Sequence, residues 1–165
     1  MDKFIGGLDS QFNRLYLDWR KLVAAIPREL IYLRPLRDST AFAERSCGEE
    51  ILRSAGLVEQ TFAGIATNLW DDPFEWTLPE TLETPEKILE YLAEVESTRR
   101  GGFELFKSDD DLLKEIMAPS GPTQLLPLLL DTLIRAGHHQ ATARETWQRL
   151  RTTELSRLAL SAGKP

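Results

Sequence analysis

The chain has 165 residues, of which 42% are hydrophobic and 28% are charged, and its formal net charge is −6. This composition is typical of a soluble globular protein, and the length predicts a single domain over residues 1–165. No run of about 18 apolar residues occurs, so the sequence predicts no membrane span. The single cysteine, Cys47, excludes an internal disulfide framework and favours a reducing compartment, so we expect a cytoplasmic protein.

The charge is distributed unevenly along the chain. Residues 1–45 carry a net charge of +2, residues 46–119 carry −11 and residues 120–165 carry +3. The acidic middle segment argues against a nucleic-acid partner, because phosphate binding depends on clustered basic side chains. We interpret the acidic residues as solvated faces of helices, with the docking of a basic partner as the alternative.

The first predicted helix spans residues 3–26. Its hydrophobic residues follow steps of three or four, which is the pattern of helices in bundles. They are Ile5, Leu8, Phe12, Leu15, Trp19, Leu22 and Ile26. Pro27 is expected to end this helix. Residues 29–40 contain Pro35 and no helical repeat, so we predict an extended crossover that runs the length of a bundle.

The second predicted helix begins at Ser46 or Cys47 and ends near Trp70. Ser46 followed three residues later by Glu49 matches a capping box. The predicted inner face of this helix consists of Ile51, Ser54, Ala55, Val58, Phe62 and Ile65. Residues 74–83 are expected to form a loop whose aromatic residues, Phe74 and Trp76, cover one end of the bundle.

The third predicted helix begins at residues 84–86, Thr-Pro-Glu, which supply an N-cap, a proline at the first helical position and an acidic first turn. Its core residues are expected to be Ile88, Leu92, Val95, Phe103 and Phe106. The glycine pair at residues 101–102 is expected to break or kink it.

A short helical turn is predicted to begin at Ser108, with Leu112, Leu113 and Ile116 facing inward. Residues 119–122, Pro-Ser-Gly-Pro, predict a turn. No segment shows the alternation of a strand over a useful length, so no strand is predicted.

The fourth predicted helix covers residues 123–151, and residues 152–165 are expected to continue or restart it. Its apolar stripe includes Leu129, Leu133, Ala136, Gln140, Ala143, Trp147 and Leu150. Four long helices and one extended crossover predict an all-α protein with the architecture of a four-helix bundle.

The only two histidines, His138 and His139, interrupt this stripe. Neutral imidazole binds zinc, nickel or iron, and such sites in bundles take ligands from facing helices. Adjacent helical residues diverge by about 100°, so at most one of the pair points into the core.

The sequence contains no glycine-rich phosphate loop, paired-cysteine zinc motif or HExxH motif. Cys47 lies near a predicted helix N-terminus, a position that can lower the pKa of a thiol and make it reactive. We interpret it instead as a small packed residue.

Three stretches of the chain together resemble the DinB/YfiT-like superfamily of four-helix-bundle proteins, which has many bacterial members. They are residues 46–62, SCGEEILRSAGLVEQTF; residues 78–97, LPETLETPEKILEYLAEVES; and residues 110–151, DDLLKEIMAPSGPTQLLPLLLDTLIRAGHHQATARETWQRLR. The family pattern has a serine-started helix 2 bearing a histidine, a later acidic turn, and a helix that ends in an HxxxHHRGQ-like motif. The resemblance implies an up-up-down-down bundle that is often a homodimer.

The resemblance also implies chemistry. In many members three histidines, one on helix 2 and two on helix 4, bind a divalent metal, commonly nickel or zinc, and some relatives are thiol-dependent transferases or hydrolases. In this chain the helix 2 histidine falls near Arg53 or Ser54, and the first histidine of HxxxH falls at Arg135. The RGQ that follows is replaced by residues 140–142, Gln-Ala-Thr. Only the pair of histidines remains.

The candidate metal ligands are therefore His138 and His139, and the candidate pocket residues are Ser54, Glu59, Arg135 and Gln140; no catalytic residue is identified. One substitute site would combine Glu59, Gln140 and His139. In a second hypothesis, the guanidinium of Arg135 occupies the place of the cation and pairs with Glu59 or Glu94.

Three functions stay open. The first is the binding of a small molecule, a thiol or a partner without a complete metal centre. The second is a zinc- or nickel-dependent, thiol-dependent transferase or hydrolase with a site rebuilt around His139. The third is a structural or dimerisation module.

Overall fold

The computed structural model describes residues 2–35, 45–72 and 79–162, with side chains described as far as residue 153. The described part is mostly helical, which confirms the all-α prediction. Its α-helices are α1 (Lys3–Ala25), α2 (Cys47–Thr67), α3 (Pro85–Glu104) and α4 (Leu125–Ala162), and a hairpin joins β1 (Glu115–Ala118) to β2 (Gly121–Gln124). None of the helices, over these residues, is long and apolar enough to cross a membrane.

Helix α1 has the predicted inner face. Its stripe from Ile5 to Leu22 is buried, and the backbone becomes extended at Ile26, the residue before Pro27. A residue that precedes proline avoids the helical region, which explains the end of the helix. Part of the predicted crossover, residues 36–40, lies outside the described residues, and residues 28–30 form a short 3-10 turn.

Helix α2 starts with the predicted capping box. The Ser46 hydroxyl accepts a hydrogen bond from the Glu49 amide at 3.2 Å, and the Glu49 carboxylate accepts one from the Ser46 amide at 2.7 Å. The helix ends at Asn68, whose φ of 60° is left-handed, two residues before the predicted end. Cys47 is completely buried, and this burial raises the pKa of its thiol to about 12, so it is a packed residue rather than a reactive thiolate.

Helix α3 has the predicted start but continues through the glycine pair, so the predicted break at residues 101–102 is wrong. Gly102 lies against α2: a Cβ atom built on it would be 2.5 Å from a ring carbon of Phe62. Gly101 faces open space. Packing therefore explains Gly102, because only a residue without a Cβ lets the two helices approach this closely.

The segment after α3 differs in part from the prediction. A 3-10 turn at Asp109–Leu113 follows Ser108, and Leu112 is buried as expected. Leu113 is exposed, so the prediction that it faces inward is wrong. The predicted turn at residues 119–122 is the tip of a β-hairpin in which Ala118 pairs with Gly121, so the expectation of no strand is also wrong. The predicted loop residues Phe74 and Trp76 lie outside the described residues.

The directions of the helices follow from contacts between them. Trp19 of α1 donates a hydrogen bond to Ser54 of α2 at 2.9 Å, and the rings of Phe12 and Phe62 are 5.0 Å apart. Residues later in α1 therefore meet residues earlier in α2, and the two helices are antiparallel. The resemblance implies parallel first and second helices, and this up-up-down-down order is wrong.

The connections between the helices determine these directions. The Gly48 amide donates to the carbonyl of Ile31 at 2.7 Å, so the chain is already beside the start of α2 a few residues after α1 ends. The Tyr32 hydroxyl donates to the carbonyl of Leu82, which places the start of α3 at the same end. Helices α2 and α3 are therefore parallel. The end of α1 and the start of α2 lie at the same end of the bundle, so the predicted crossover along the length of the bundle between these two helices is wrong.

Helix α4 packs mainly on α2 and runs antiparallel to it, since Thr61 meets Thr132 at 2.8 Å and Glu50 meets His139 at 2.6 Å. The helices surround one apolar core, in which Phe12, Phe62 and Leu129 are fully buried. The α4 backbone continues to Ala162, as the prediction of a continuing tail allowed.

A buried ion cluster joins α1 to α3. Arg99 of α3 donates to Glu96 from two of its nitrogens, at 2.8 and 2.9 Å, and also contacts Asp9 of α1. The more exposed Arg100 donates to the same Glu96 carboxylate at 2.6 Å. Because a buried charge is costly without partners, this cluster ties the two helices together only while each charge is paired.

Candidate functional site

The seam between α2 and α4 carries a line of buried polar side chains. Three residues of α2 face α4, namely Glu50, Ser54 and Thr61, at a spacing of four and seven residues. Glu50 meets His139 near the start of α2. Ser54 and Thr61, farther along α2, meet Ala136 and Thr132, which lie earlier in α4 than His139. The candidate site residue His139 therefore lies in this seam, opposite a carboxylate.

The contact between Glu50 and His139 is short and largely buried. Glu50 Oε2 lies 2.6 Å from His139 Nδ1, and the exposed fractions of the two side chains are 5% and 24%. The other carboxylate oxygen lies 3.4 Å from a guanidinium nitrogen of Arg45. A carboxylate oxygen accepts hydrogen bonds, so the ring N–H at His139 Nδ1 is the donor in this contact.

Ser54, a predicted pocket residue, has both hydrogen-bonding roles filled. Its hydroxyl accepts from Trp19 Nε1 at 2.9 Å and donates to the Ala136 carbonyl at 2.6 Å. It therefore links α1, α2 and α4 from a fully buried position. This geometry makes Ser54 a structural tie and not the lining of an open site.

Glu59 is placed away from the histidines. It lies nine residues after Glu50, which is about 13 Å along the helix axis. The hydroxyl of Tyr91 on α3 donates to its carboxylate at 2.6 Å. Burial raises the pKa of Glu59; the hydrogen bond from Tyr91 opposes this effect, and the charge of Glu94 adds to it. The structure therefore does not bring together the predicted substitute site of Glu59, Gln140 and His139.

Arg135 lies on the outer face of α4. Its side chain is 60% exposed, and its guanidinium is 3.5 Å from the carboxylate of Asp131, one turn earlier on the same helix. The hypothesis that Arg135 fills a former metal pocket and pairs with Glu59 or Glu94 is therefore wrong. The Arg135 side chain is therefore more exposed to solvent than the side chain of His139, which is 24% exposed.

His138 and His139 diverge as the helical geometry predicts. His138 is exposed and His139 is turned toward α2, and their ring centroids are 5.8 Å apart. Over residues 2–35, 45–72 and 79–153, no three side chains of His, Cys, Asp or Glu converge as a metal site would require. The residues of the described part therefore do not fit a three-ligand metal centre.

Sequence reasoning missed Glu50 as a site residue. It stands next to the capping box, where an acidic residue is expected to interact with the helix N-terminus. The signal that identifies it is the repeat of Glu50, Ser54 and Thr61, which places three polar residues on one face of a helix that is otherwise apolar.

Gln140, the remaining predicted pocket residue, faces α1. Its side-chain amide donates to the carbonyl of Leu15 at 3.1 Å, and the residue lines a groove of about 570 Å³ between α1 and α4. Ile134 and Gly137 of α4 also line this groove. Of the four predicted pocket residues, Gln140 lines this groove.

Comparisons with models of known protein families and with curated proteins give no match for this chain.

Proposed function

We propose that this chain is a divergent DinB/YfiT-like four-helix-bundle protein that binds a small molecule or a partner without a complete three-histidine metal centre. The observation that carries the proposal is the pairing of His139 with Glu50 at 2.6 Å. In this arrangement the Glu50 carboxylate contacts the ring nitrogen of His139 that faces α2. The order of the three family-like stretches supports the family part of the proposal.

The position of Arg135 supports the same conclusion. The family motif would place a second helix 4 ligand there, whereas this chain has an exposed guanidinium that forms an ion pair with Asp131. A cation does not ligate a metal, and His138 points away from Glu50. The proposal also includes a cytoplasmic location, consistent with the buried Cys47 thiol, and a homodimer, which rests on the resemblance alone.

We expect the purified, untagged protein to contain far less than one equivalent of zinc or nickel by elemental analysis. We also expect that neither metal raises its melting temperature in a thermal-shift titration. Near-stoichiometric metal that is lost in His139→Ala would overturn the proposal.

The same variant tests the pairing itself. His139→Ala removes a partner from the buried Glu50 carboxylate, so we expect the free energy of unfolding to fall by about 1–3 kcal/mol. His138→Ala is the matched control. His138 is exposed, so its replacement should change the free energy of unfolding by less than about 0.5 kcal/mol. Equal effects of the two variants in urea denaturation would contradict the assigned role of His139.

A second candidate is a metal-dependent transferase or hydrolase that acts on thiol conjugates. The observation in its favour is that Glu50 and His139 offer a carboxylate and an imidazole, two donor types that zinc accepts. Elemental analysis separates the two candidates. The second is favoured if the parent protein binds metal stoichiometrically and if both Glu50→Gln and His139→Ala lose this metal.

A further inference from the structure

Two arginines, Arg14 of α1 and Arg144 of α4, line the groove between α1 and α4. Arg14 makes no ion pair with any residue in the described part of the chain. Arg144 lies 3.5 Å from Asp18, but that carboxylate is also 3.9 Å from Lys21. The lining of the groove therefore contains two guanidinium groups, those of Arg14 and Arg144, and one carboxylate, that of Asp18, which leaves a surplus of one positive charge.

Beside its charged residues and two glutamines, Gln11 and Gln140, the groove has an open apolar part. Leu133 and Ile134 line it, and Ile134 is 72% exposed, a high value for an isoleucine on a helix that packs in a core. A Cβ atom added at Gly137 would meet no atom within 4 Å. The missing Cβ at this position leaves room for an apolar group to lie across α4.

We propose that this groove binds a small amphipathic monoanion, with its carboxylate between Arg14 and Arg144 and its hydrocarbon chain across Gly137 against Leu133 and Ile134. Guanidinium groups form strong charge-assisted hydrogen bonds with a carboxylate, and the surplus of one positive charge matches a single negative charge. The apolar chain covers the exposed isoleucine, which removes its surface from water. This inference deepens the proposed function by naming a ligand class, and it rests on the small-molecule part of that proposal.

The test uses octanoate as the probe, measured by isothermal titration calorimetry on the full-length protein. Octanoate is expected to bind, whereas octanol, which lacks the charge, and octylamine, which reverses it, are expected to bind much more weakly. Arg14→Gln is expected to weaken octanoate binding about tenfold, because it removes one charge-assisted hydrogen bond. Gly137→Leu is expected to abolish binding by filling the groove.

Two control variants separate the groove from general effects. Arg20→Gln removes a guanidinium of α1 that does not line the groove, and Gly101→Leu adds the same side chain to another helical glycine that faces open space. Both controls should bind octanoate like the parent protein.

Absence of octanoate binding, or equal binding by parent, Arg14→Gln and Gly137→Leu proteins, would overturn the inference. It would also be overturned if Gly137→Leu converted a dimer into a monomer, since the groove would then be an interface between two copies. The metal measurement above is independent of these outcomes, so failure of this inference and failure of the proposed loss of the metal centre can be distinguished.

Discussion

Replacing Arg99 by alanine is expected to lower the free energy of unfolding by about 3–5 kcal/mol, because it leaves buried carboxylate charge without its main partner. The Arg99 side chain is only 4% exposed and bonds Glu96 through two nitrogens while contacting Asp9 on α1. Its loss therefore weakens α3 internally and removes the ion pair that joins α3 to α1. Urea denaturation near neutral pH measures the effect.

Arg100 supplies the matched control. It bonds the same Glu96 carboxylate at 2.6 Å, but its side chain is 66% exposed. Ion pairs of exposed side chains contribute little, so Arg100→Ala should cost less than about 1 kcal/mol. If both arginine variants lost the same stability, burial of the Arg99 pair would not be the cause.

The cluster also gives this prediction a pH signature. Burial alone would raise the pKa of Glu96, but hydrogen bonds from Arg99 and Arg100 outweigh burial and lower it below its ordinary value of 4.5. A lowered carboxyl pKa in the folded state stabilises the protein above the unfolded pKa, and this stability is lost as the pH falls through the folded pKa. We therefore expect the Arg99→Ala protein to lose less stability than the parent between neutral pH and pH values below 4.5.

The parts of the fold that the sequence predicts well are those determined by neighbouring residues. The stripe of α1 and the capping box at Ser46 each depend on side chains three or four positions apart. The start of α3 at Thr84 is equally local. The relative directions of α1 and α2 are not local, because they depend on which end of the bundle the connections reach.

Packing between distant segments also overrides local preference at residues 101–102. Two consecutive glycines favour a break by their intrinsic helix propensity. The structure keeps the helix intact because Gly102 is the point where Phe62 of α2 approaches α3. The hairpin at residues 115–124 escaped prediction for a related reason, since each strand has only four residues and too few alternations to detect.

The candidate site shows the same division. The divergence of His138 and His139 follows from helical geometry and was predictable. The partner of His139 was not, because the choice among Glu49, Glu50 and Glu59 depends on the register between α2 and α4. Once Thr61 is opposite Thr132, antiparallel packing brings Glu50 to His139.

Replacing Phe62 by alanine is expected to lower the free energy of unfolding by about 3–5 kcal/mol, because it opens a cavity in a fully packed core. The Phe62 ring is completely buried, with its centroid 5.0 Å from those of both Phe12 and Phe103. It therefore contacts α1 and α3 from α2, and its loss removes packing from three helices. Thermal and urea denaturation should agree on the size of the loss.

A double-mutant cycle that combines Phe62→Ala with Gly102→Ala tests the contact between these two residues. In the parent protein Gly102→Ala should destabilise by about 1–3 kcal/mol, since its Cβ would be forced against a Phe62 ring that has no room to move. Gly101→Ala, one residue earlier in open space, should instead stabilise by up to about 1 kcal/mol through helix propensity. In the Phe62→Ala background the clash is absent, so Gly102→Ala should become neutral or stabilising. Additive effects of the two substitutions would mean that the close approach of α3 to Phe62 does not determine the glycine at position 102.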